Sequence, residues 1–412
     1  NKLELIHANV AKNTTETVYT EDNKAYVDVE FNEDLYYLAN GKEMILASEK
    51  DGFKHFYLYD LKGKLVRQIT KGNWEASKLI GLDEKKRILY FTSTKESPLE
   101  RYLYSISLDK GAEKQILNAK GYHEITMSQD CQFFMDEYST ANTPAVYGLY
   151  DISGKKIKDL ETNEKLKKIL EGYQISQKEF FTVQVPDATL NAWMIKPHNF
   201  DSKKAYPTLM FVYGGPGSQE VENKWDYFDY FWYQHLASKG YLVVCVDNRG
   251  TGARGEAFRK ATYGQLGKLE VQDQIEAAKY LAKESYVDKS RIAIWGWSYG
   301  GYMSSNCILQ GADVFKAAVA VAPVTNWRFY DTIYTERYLG LPQNNASGYD
   351  DNSPITHVKN LKGKYLLIHG TGDDNVHFQN AVEMQNALIR AGKQFETFYY
   401  PNKNHGISGG NT

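Results

Sequence analysis

The segment Arg291-Ile292-Ala293-Ile294-Trp295-Gly296 reads as a buried strand, and Trp297–Gln310 follows it at once with the pattern of a helix. Across the junction lies Gly296-Trp297-Ser298-Tyr299-Gly300, a G-x-S-x-G motif with no intervening loop. Glycines at both ends permit a tight, strained turn that lifts the Ser298 hydroxyl clear of the sheet. The helix N-terminus beneath it favours developing negative charge. Five residues of this form also arise by chance, and a structural serine in a glycine-rich turn is the bland reading. The strand before and the helix after are what give the motif its meaning.

The surrounding sequence supplies the rest of a layered fold. Tyr206–Tyr213, Leu242–Asp247, Ala317–Ala322, Tyr365–His369 and Glu396–Tyr400 read as strands. Glu270–Glu284 and Asn380–Ala391 read as helices, with Val271, Ile275, Ala278 and Leu281 on one face of the first. Strands alternating with helices predict a doubly wound, mostly parallel sheet, whose active residues sit on loops at the C-terminal strand ends. A nucleophilic serine needs a base, and the base needs an orienting carboxylate. In α/β-hydrolases the chain order is serine, acid, histidine. Downstream of Ser298, one strand runs into Gly370-Thr371-Gly372-Asp373-Asp374-Asn375 and the last runs into Asn402-Lys403-Asn404-His405-Gly406. The loop acid is Asp373 or its neighbour Asp374. Of the three downstream histidines, His369 closes a buried strand and His377 opens a helix, which suits structural roles; His405 lies on the expected loop.

Residues 1–165 have a different texture: short strands of alternating pattern separated by turn clusters. Ala25–Phe31, Phe56–Tyr59, Ile88–Phe91 and Tyr102–Ile106 alternate with period two. A loose unit recurs from His55, Arg101 and Tyr147, starts that lie 46 residues apart. Such a period with about four strands per repeat predicts propeller blades. Only about three and a half repeats fit, where a closed propeller takes roughly four to eight. An ordinary β-sandwich is the alternative. The charged stretch Glu161–Glu171 reads as a helical linker, so the predicted domains are 1–165, partial propeller, and 166–412, α/β-hydrolase.

Charge and cysteine usage remove several function classes. The 412 residues carry a net charge of −2, no surplus to attract nucleic acid or an anionic membrane. No apolar run approaches the roughly 18 residues of a membrane span. Three cysteines, Cys131, Cys245 and Cys307, make no disulfide framework. No His/Cys/Asp spacing reads as a metal-ligand set, and no cofactor is expected.

Gly296-Trp297-Ser298-Tyr299-Gly300-Gly301-Tyr302 resembles the nucleophile segment of the prolyl oligopeptidase family, in its dipeptidyl peptidase IV branch. Val212–Gln219, Tyr330–Tyr338, His369–Gln379 and Asn404–Gly406 agree in order and spacing, and Lys71-Gly72-Asn73-Trp74-Glu75 resembles a propeller segment of that branch. The resemblance implies Ser298 as nucleophile, His405 as general base and Asp373 as its orienter. It implies an oxyanion hole from the Tyr213 hydroxyl and the Tyr299 amide. It also implies a proline pocket lined by Tyr299, Val324, Trp327, Tyr330, Tyr334 and Val376, with Asn375 holding a substrate carbonyl. An aromatic ring of walls suits proline, which is flat, apolar and lacks an N–H to satisfy. Each tyrosine alone is as well explained by packing; Tyr330 and Tyr334 gain weight from their i, i+4 spacing, expected to put them on one helical face. Arg249 follows a strand end, and either lines the site or forms a structural ion pair.

Two departures qualify the resemblance. The branch uses a glutamate pair from the propeller to hold the substrate amine, and no adjacent Glu-Glu occurs in the chain. The family also closes with a helix after the catalytic histidine, whereas the sequence ends at Thr412. Both fit a partial chain. The expected activity is release of N-terminal dipeptides with proline or alanine second, from peptide substrates. An oligopeptidase, tripeptidyl or acylaminoacyl peptidase on the same fold is the alternative, and a non-catalytic binding module the third. The family pattern further implies a homodimer and an extracytoplasmic, periplasmic-type setting.

Overall fold

The computed structural model describes residues 1–227 and 229–410, which divide into two compact units. The first comprises Asn1–Tyr173 with the short segments Glu222–Tyr227 and Ala253–Phe258; the second comprises Gln174–Val221, Phe228–Gly252 and Arg259–Thr412.

The first unit is a hairpin, Lys2–Asn9 with Thr14–Asp22, followed by three four-stranded antiparallel sheets. Each sheet takes four consecutive strands: Leu35–Tyr37 to Leu65–Gln68, Ala76–Asp83 to Lys114–Gln115, and Tyr122–Met127 to Lys156–Glu161. The repeated aromatic segments fall on the third strand of each sheet, His55–Asp60, Tyr102–Ser107 and Thr143–Asp151. The turn that follows is built identically in the first and last. Asp60 Oδ1 accepts the Lys62 and Lys64 amides, and Asp151 Oδ1 accepts those of Ser153 and Lys155. Gly63 and Gly154 occupy the left-handed position in each, φ 79° and 90°. The shared chemistry is an Asx turn, in which a short carboxylate replaces missing backbone partners. Ile45, Phe56, Leu58, Trp74, Leu89 and Phe91 pack in one buried cluster, with Trp74 and Phe91 stacked 6.2 Å apart.

One expected strand is absent. Ala25–Phe31 alternates in pattern but forms turns. Asp28 intervenes: its Oδ1 accepts the Phe31 amide and its carbonyl accepts Asn32, so local side-chain bonding outcompetes a ladder. Glu161–Glu171 is helical only from Glu164, because Lys156–Glu161 completes the third sheet.

The second unit is an eight-stranded sheet. Its strands are β1 (Lys178–Val185), β2 (Ala188–Ile195), β3 (Tyr206–Phe211), β4 (Leu242–Val246), β5 (Val287–Trp297), β6 (Ala317–Val321), β7 (Lys364–Gly370) and β8 (Glu396–Tyr400). They lie in the order β1-β2-β4-β3-β5-β6-β7-β8. β1, β2 and β4 pair antiparallel; every pair from β4 onward is parallel. The central strands read as continuous apolar runs because both faces are covered. The helices used below are α1 (Tyr230–Ser238), α2 (Lys268–Leu281), α3 (Tyr299–Gln310), α4 (Thr332–Leu339) and α5 (Gln379–Arg390). Eleven of the twelve α3 residues are buried, from Tyr299 to Leu309, so α3 is a core helix against β5 and β6. Among the described residues no helix is long and apolar enough to cross a membrane. All three cysteines are buried, and none is in a disulfide among the described residues.

Candidate active site

β5 passes into α3 through Ser298 alone, at φ 60° and ψ −116°. A non-glycine residue in that region carries strain of roughly 1–3 kcal/mol and persists only where its surroundings over-determine it. The surroundings here are backbone. A Cβ on Gly296 would lie 2.3 Å from the Val212 carbonyl oxygen, and one on Gly300 2.1 Å from the same atom. The Ser298 amide donates to Val321 O (2.8 Å) at the end of β6, and its carbonyl accepts the Tyr302 amide (3.0 Å). As the first residue of α3, Tyr299 has an N–H with no intrahelical acceptor.

The acid and base meet across two other loops. His405 Nδ1 lies 2.8 Å from Asp373 Oδ2, and the Asp373 side chain is fully buried. Asp373 Oδ1 accepts the amides of Asn375 (3.0 Å) and Val376 (2.9 Å). Burial works to raise the Asp373 carboxyl. Hydrogen bonds from His369 and His405, the His405 charge and the Asn375 amide outweigh it and hold the group well below the usual carboxylate range. Its neighbour Asp374 is exposed. The indole Nε1 of Trp297 donates to the His405 carbonyl (3.0 Å), which ties the histidine loop to the residue before Ser298.

Aromatic rings stand beside the elbow. Trp327 is 5.4 Å from Tyr299, 5.8 Å from Tyr330 and 5.8 Å from Tyr334, ring centre to ring centre. Tyr330 and Tyr334 meet edge to face at 5.4 Å, but not as i, i+4 neighbours in one helix. Tyr330 is extended (φ −115°, ψ 166°), and α4 begins only after Asp331, whose carboxylate caps it by accepting the Tyr334 amide. The Tyr330 hydroxyl donates to Asn375 Oδ1 (2.7 Å), so Asn375 joins the wall. Val324 and Val376 are both buried. Tyr213 follows β3 at 6.1 Å from Tyr299. Its hydroxyl has no hydrogen-bond partner among the described residues, and burial with the Glu220 charge raises its pKa, so it keeps its proton and can donate. A cleft of about 580 Å³ alongside is lined by Tyr330, Asp331, Asp374, Asn375, His377 and Gln379, among others.

Arg249 resolves as an ion pair, with Nη2 2.6 Å from Oδ1 of the fully buried Asp273. One residue escaped the sequence reading, and another was read only as structural. Glu270, with no exposed surface, accepts the Tyr299 hydroxyl and the Gly267 amide on Oε1 (2.9 Å each). Its Oε2 is buried without a partner among the described residues. Burial pushes this carboxyl up to about 7. The available signal was its place at N3 of a helix opened by Gly267, a capping-box position. The other is His369, 3.2 Å from Asp373 Oδ2; its place at the end of a buried strand gave no sign of that contact. Among the described residues no cluster of three or more His, Cys, Asp or Glu could hold a metal ion.

Comparison with known proteins places these features. Residues 227–412 match the model of the prolyl oligopeptidase family, and residues 1–145 match that of the dipeptidyl peptidase IV N-terminal region. Dipeptidyl peptidase 4 of Trichophyton equinum is 39% identical over 380 residues, covering 89% of this chain and 49% of that protein. Dipeptidyl peptidase 4 of Arthroderma otae is 37% identical over 380 residues, with the same coverage. The crystal structure of Porphyromonas gingivalis dipeptidyl peptidase 4 superposes with a TM-score of 0.96 at 42% identity, over 100% of this chain and 58% of that one. The chain thus spans about half the length of the curated relatives it matches. It carries the pattern of the prolyl oligopeptidase family over residues 227–412 and that of the dipeptidyl peptidase IV N-terminal region over residues 1–145, and it is similar to dipeptidyl peptidases 4 over most of its length.

Proposed function

We propose that this chain supplies the catalytic machinery of a serine exopeptidase that releases N-terminal dipeptides with proline or alanine second. The observation that carries the reading is the joint placement of Ser298 on a strained elbow, His405 on Asp373 at 2.8 Å, and the Trp297 indole bonded to the His405 carbonyl. Ser298 Oγ attacks the carbonyl after proline while His405 takes its proton; Asp373 orients the imidazole and stabilises its cation. The Tyr213 hydroxyl and Tyr299 amide donate to the oxyanion as it forms. His405 then protonates the leaving amine, and water, activated by the same imidazole, hydrolyses the acyl-enzyme. The flat pyrrolidine packs against Tyr299, Trp327, Tyr330 and Tyr334, with Val324 and Val376 behind, and Asn375 donates to a substrate carbonyl.

We read the three sheets of the first unit as propeller blades, which their 46-residue spacing and repeated Asx turns support. The amine-binding acid pair, a homodimer and a periplasmic setting belong to the same proposal on the family's pattern. The test uses the full-length protein with Gly-Pro-, N-acetyl-Gly-Pro- and Ala-Ala-Pro-nitroanilide. Cleavage of the free-amine dipeptide substrate alone is expected. Equal cleavage of the acetylated substrate overturns the dipeptidyl reading in favour of an oligopeptidase.

A further inference from the structure

We infer that His369 is a positioning residue for acyl transfer: its Nε2–H braces Asp373 Oδ2, the oxygen that holds His405, and ties it to the backbone of Val376. The inference rests on the serine-peptidase reading above. His369 is fully buried near the end of β7. Its Nε2 lies 2.8 Å from the Val376 carbonyl oxygen and 3.2 Å from Asp373 Oδ2. Both neighbours are acceptors, so Nε2 must carry the proton; the other tautomer would set a lone pair against two oxygens. Nδ1 is buried with no partner among the described residues. An ordinary core histidine satisfies both nitrogens, and an apolar side chain of similar size would avoid the unpaired one. The imidazole therefore gains only through Nε2.

The arrangement completes the shell of Asp373. A carboxylate offers about four lone-pair directions. Oδ1 receives the Asn375 and Val376 amides, Oδ2 receives His405 Nδ1, and His369 Nε2, bonded to the Val376 carbonyl, stands 3.2 Å from Oδ2 on its other side. The amides fix one oxygen. Without His369, the other is held only by the imidazole it is meant to orient. The same proton bonds the carbonyl of Val376, the buried residue proposed above to back the pocket, so one side chain links the acid to that segment of backbone. Phe378 packs edge to face on the His369 ring (5.7 Å) and limits its tilt.

The experiment compares His369→Leu and His369→Gln with wild type in the full-length protein, using Gly-Pro-nitroanilide. The Gln amide reproduces the Nε2 donor, and Leu does not. His369→Leu is expected to lower kcat about 10- to 100-fold, the worth of one hydrogen bond to a charged group, with KM changed less than about threefold. His369→Gln is expected to restore most of the loss. A folded Leu variant with wild-type kcat overturns the inference, and so does a Gln variant no better than Leu, since packing alone would then explain both. If neither variant folds, the imidazole ¹⁵N spectrum of the wild-type protein decides: an Nε2–H tautomer at His369 supports the inference and an Nδ1–H tautomer overturns it. Wild-type protein inert to every nitroanilide sinks the peptidase reading instead, while the tautomer still reports on His369.

Discussion

The two arms of the candidate site are held by opposite means. At the elbow, Ser298 is fixed by sterics: glycines at 296 and 300 let the Val212 carbonyl approach within distances no side chain tolerates, and the backbone is driven to φ 60°. At the loops after β7 and β8, Asp373 and His405 are fixed by hydrogen bonds, three of them on one buried carboxylate with His369 Nε2 a fourth donor group 3.2 Å away. The elbow stores strain in a short stretch of chain; the acid arm spreads its hold over residues 369–405. A steric device is insensitive to pH and to the chemistry of the side chain it presents. A hydrogen-bonded device depends on both.

The sharpest way to separate the arms is at the elbow. Ser298→Ala keeps the backbone and removes only the hydroxyl, so turnover of Gly-Pro-nitroanilide should fall about 10⁶-fold with the unfolding midpoint unchanged. Ser298→Gly should lose activity equally yet gain about 1 kcal/mol of stability, because glycine adopts the position without strain. A glycine variant no more stable than the alanine one would mean that the elbow is not strained. On the other arm, Asp373→Asn should cost about 10⁴-fold in kcat. The substitution also places an amide donor among four donors, so it should destabilise the fold as well. Activity lost with stability intact would break the contrast and assign Asp373 a purely catalytic hold.

The same contrast explains what could be read from sequence. Ser298 is legible because its device is local: strand, glycines and helix are adjacent in the chain. Asp373 and His405 are legible only through chain order and family pattern, since nothing within either loop names its partner. Tyr330 and Tyr334 were paired for a reason that does not hold, helical spacing, while their rings meet because an extended residue leads into a capped helix. Ala25–Phe31 misled because alternation counts apolar positions and ignores that Asp28 can bond the backbone itself. Glu270 was passed over because its buried polar partner lies far along the chain, whereas His369, read as a structural strand-end residue, meets Asp373 only four positions on, a contact set by the turn after the strand and not by any sequence pattern. Glu270 reaches the Tyr299 hydroxyl across 29 positions, and no local pattern records that.

Tyr213 belongs to neither arm, and its hydroxyl is held by nothing among the described residues. Tyr213→Phe should therefore leave stability nearly unchanged, because no protein hydrogen bond is broken. If the hydroxyl donates to the oxyanion, kcat should fall roughly 10²–10³-fold with little change in KM. Unchanged kcat would leave the Tyr299 amide without its proposed companion and reduce the elbow's part in stabilising charge.

Glu270 lies beneath the elbow but obeys the rules of the acid arm with the opposite sign. Asp373 is depressed, so its contribution is present above its unfolded pKa and lost as acid protonates it. Glu270 is raised, first by burial and further by the charge of Asp273, against bonds from the Gly267 amide and the Tyr299 hydroxyl that favour ionisation. Between its unfolded value near 4.5 and its folded value of about 7, the native state keeps a proton that the unfolded chain has released. Stability must then fall as pH rises through that window and level off above it, by an amount on the order of 3 kcal/mol. Glu270→Gln cannot ionise, yet its Oε1 still accepts both donors. Its urea midpoint, followed at pH 5 and pH 8, should drop less than that of wild type. Parallel pH slopes would mean that the proton is not retained beneath Tyr299, and that the elbow rests on a charged carboxylate after all.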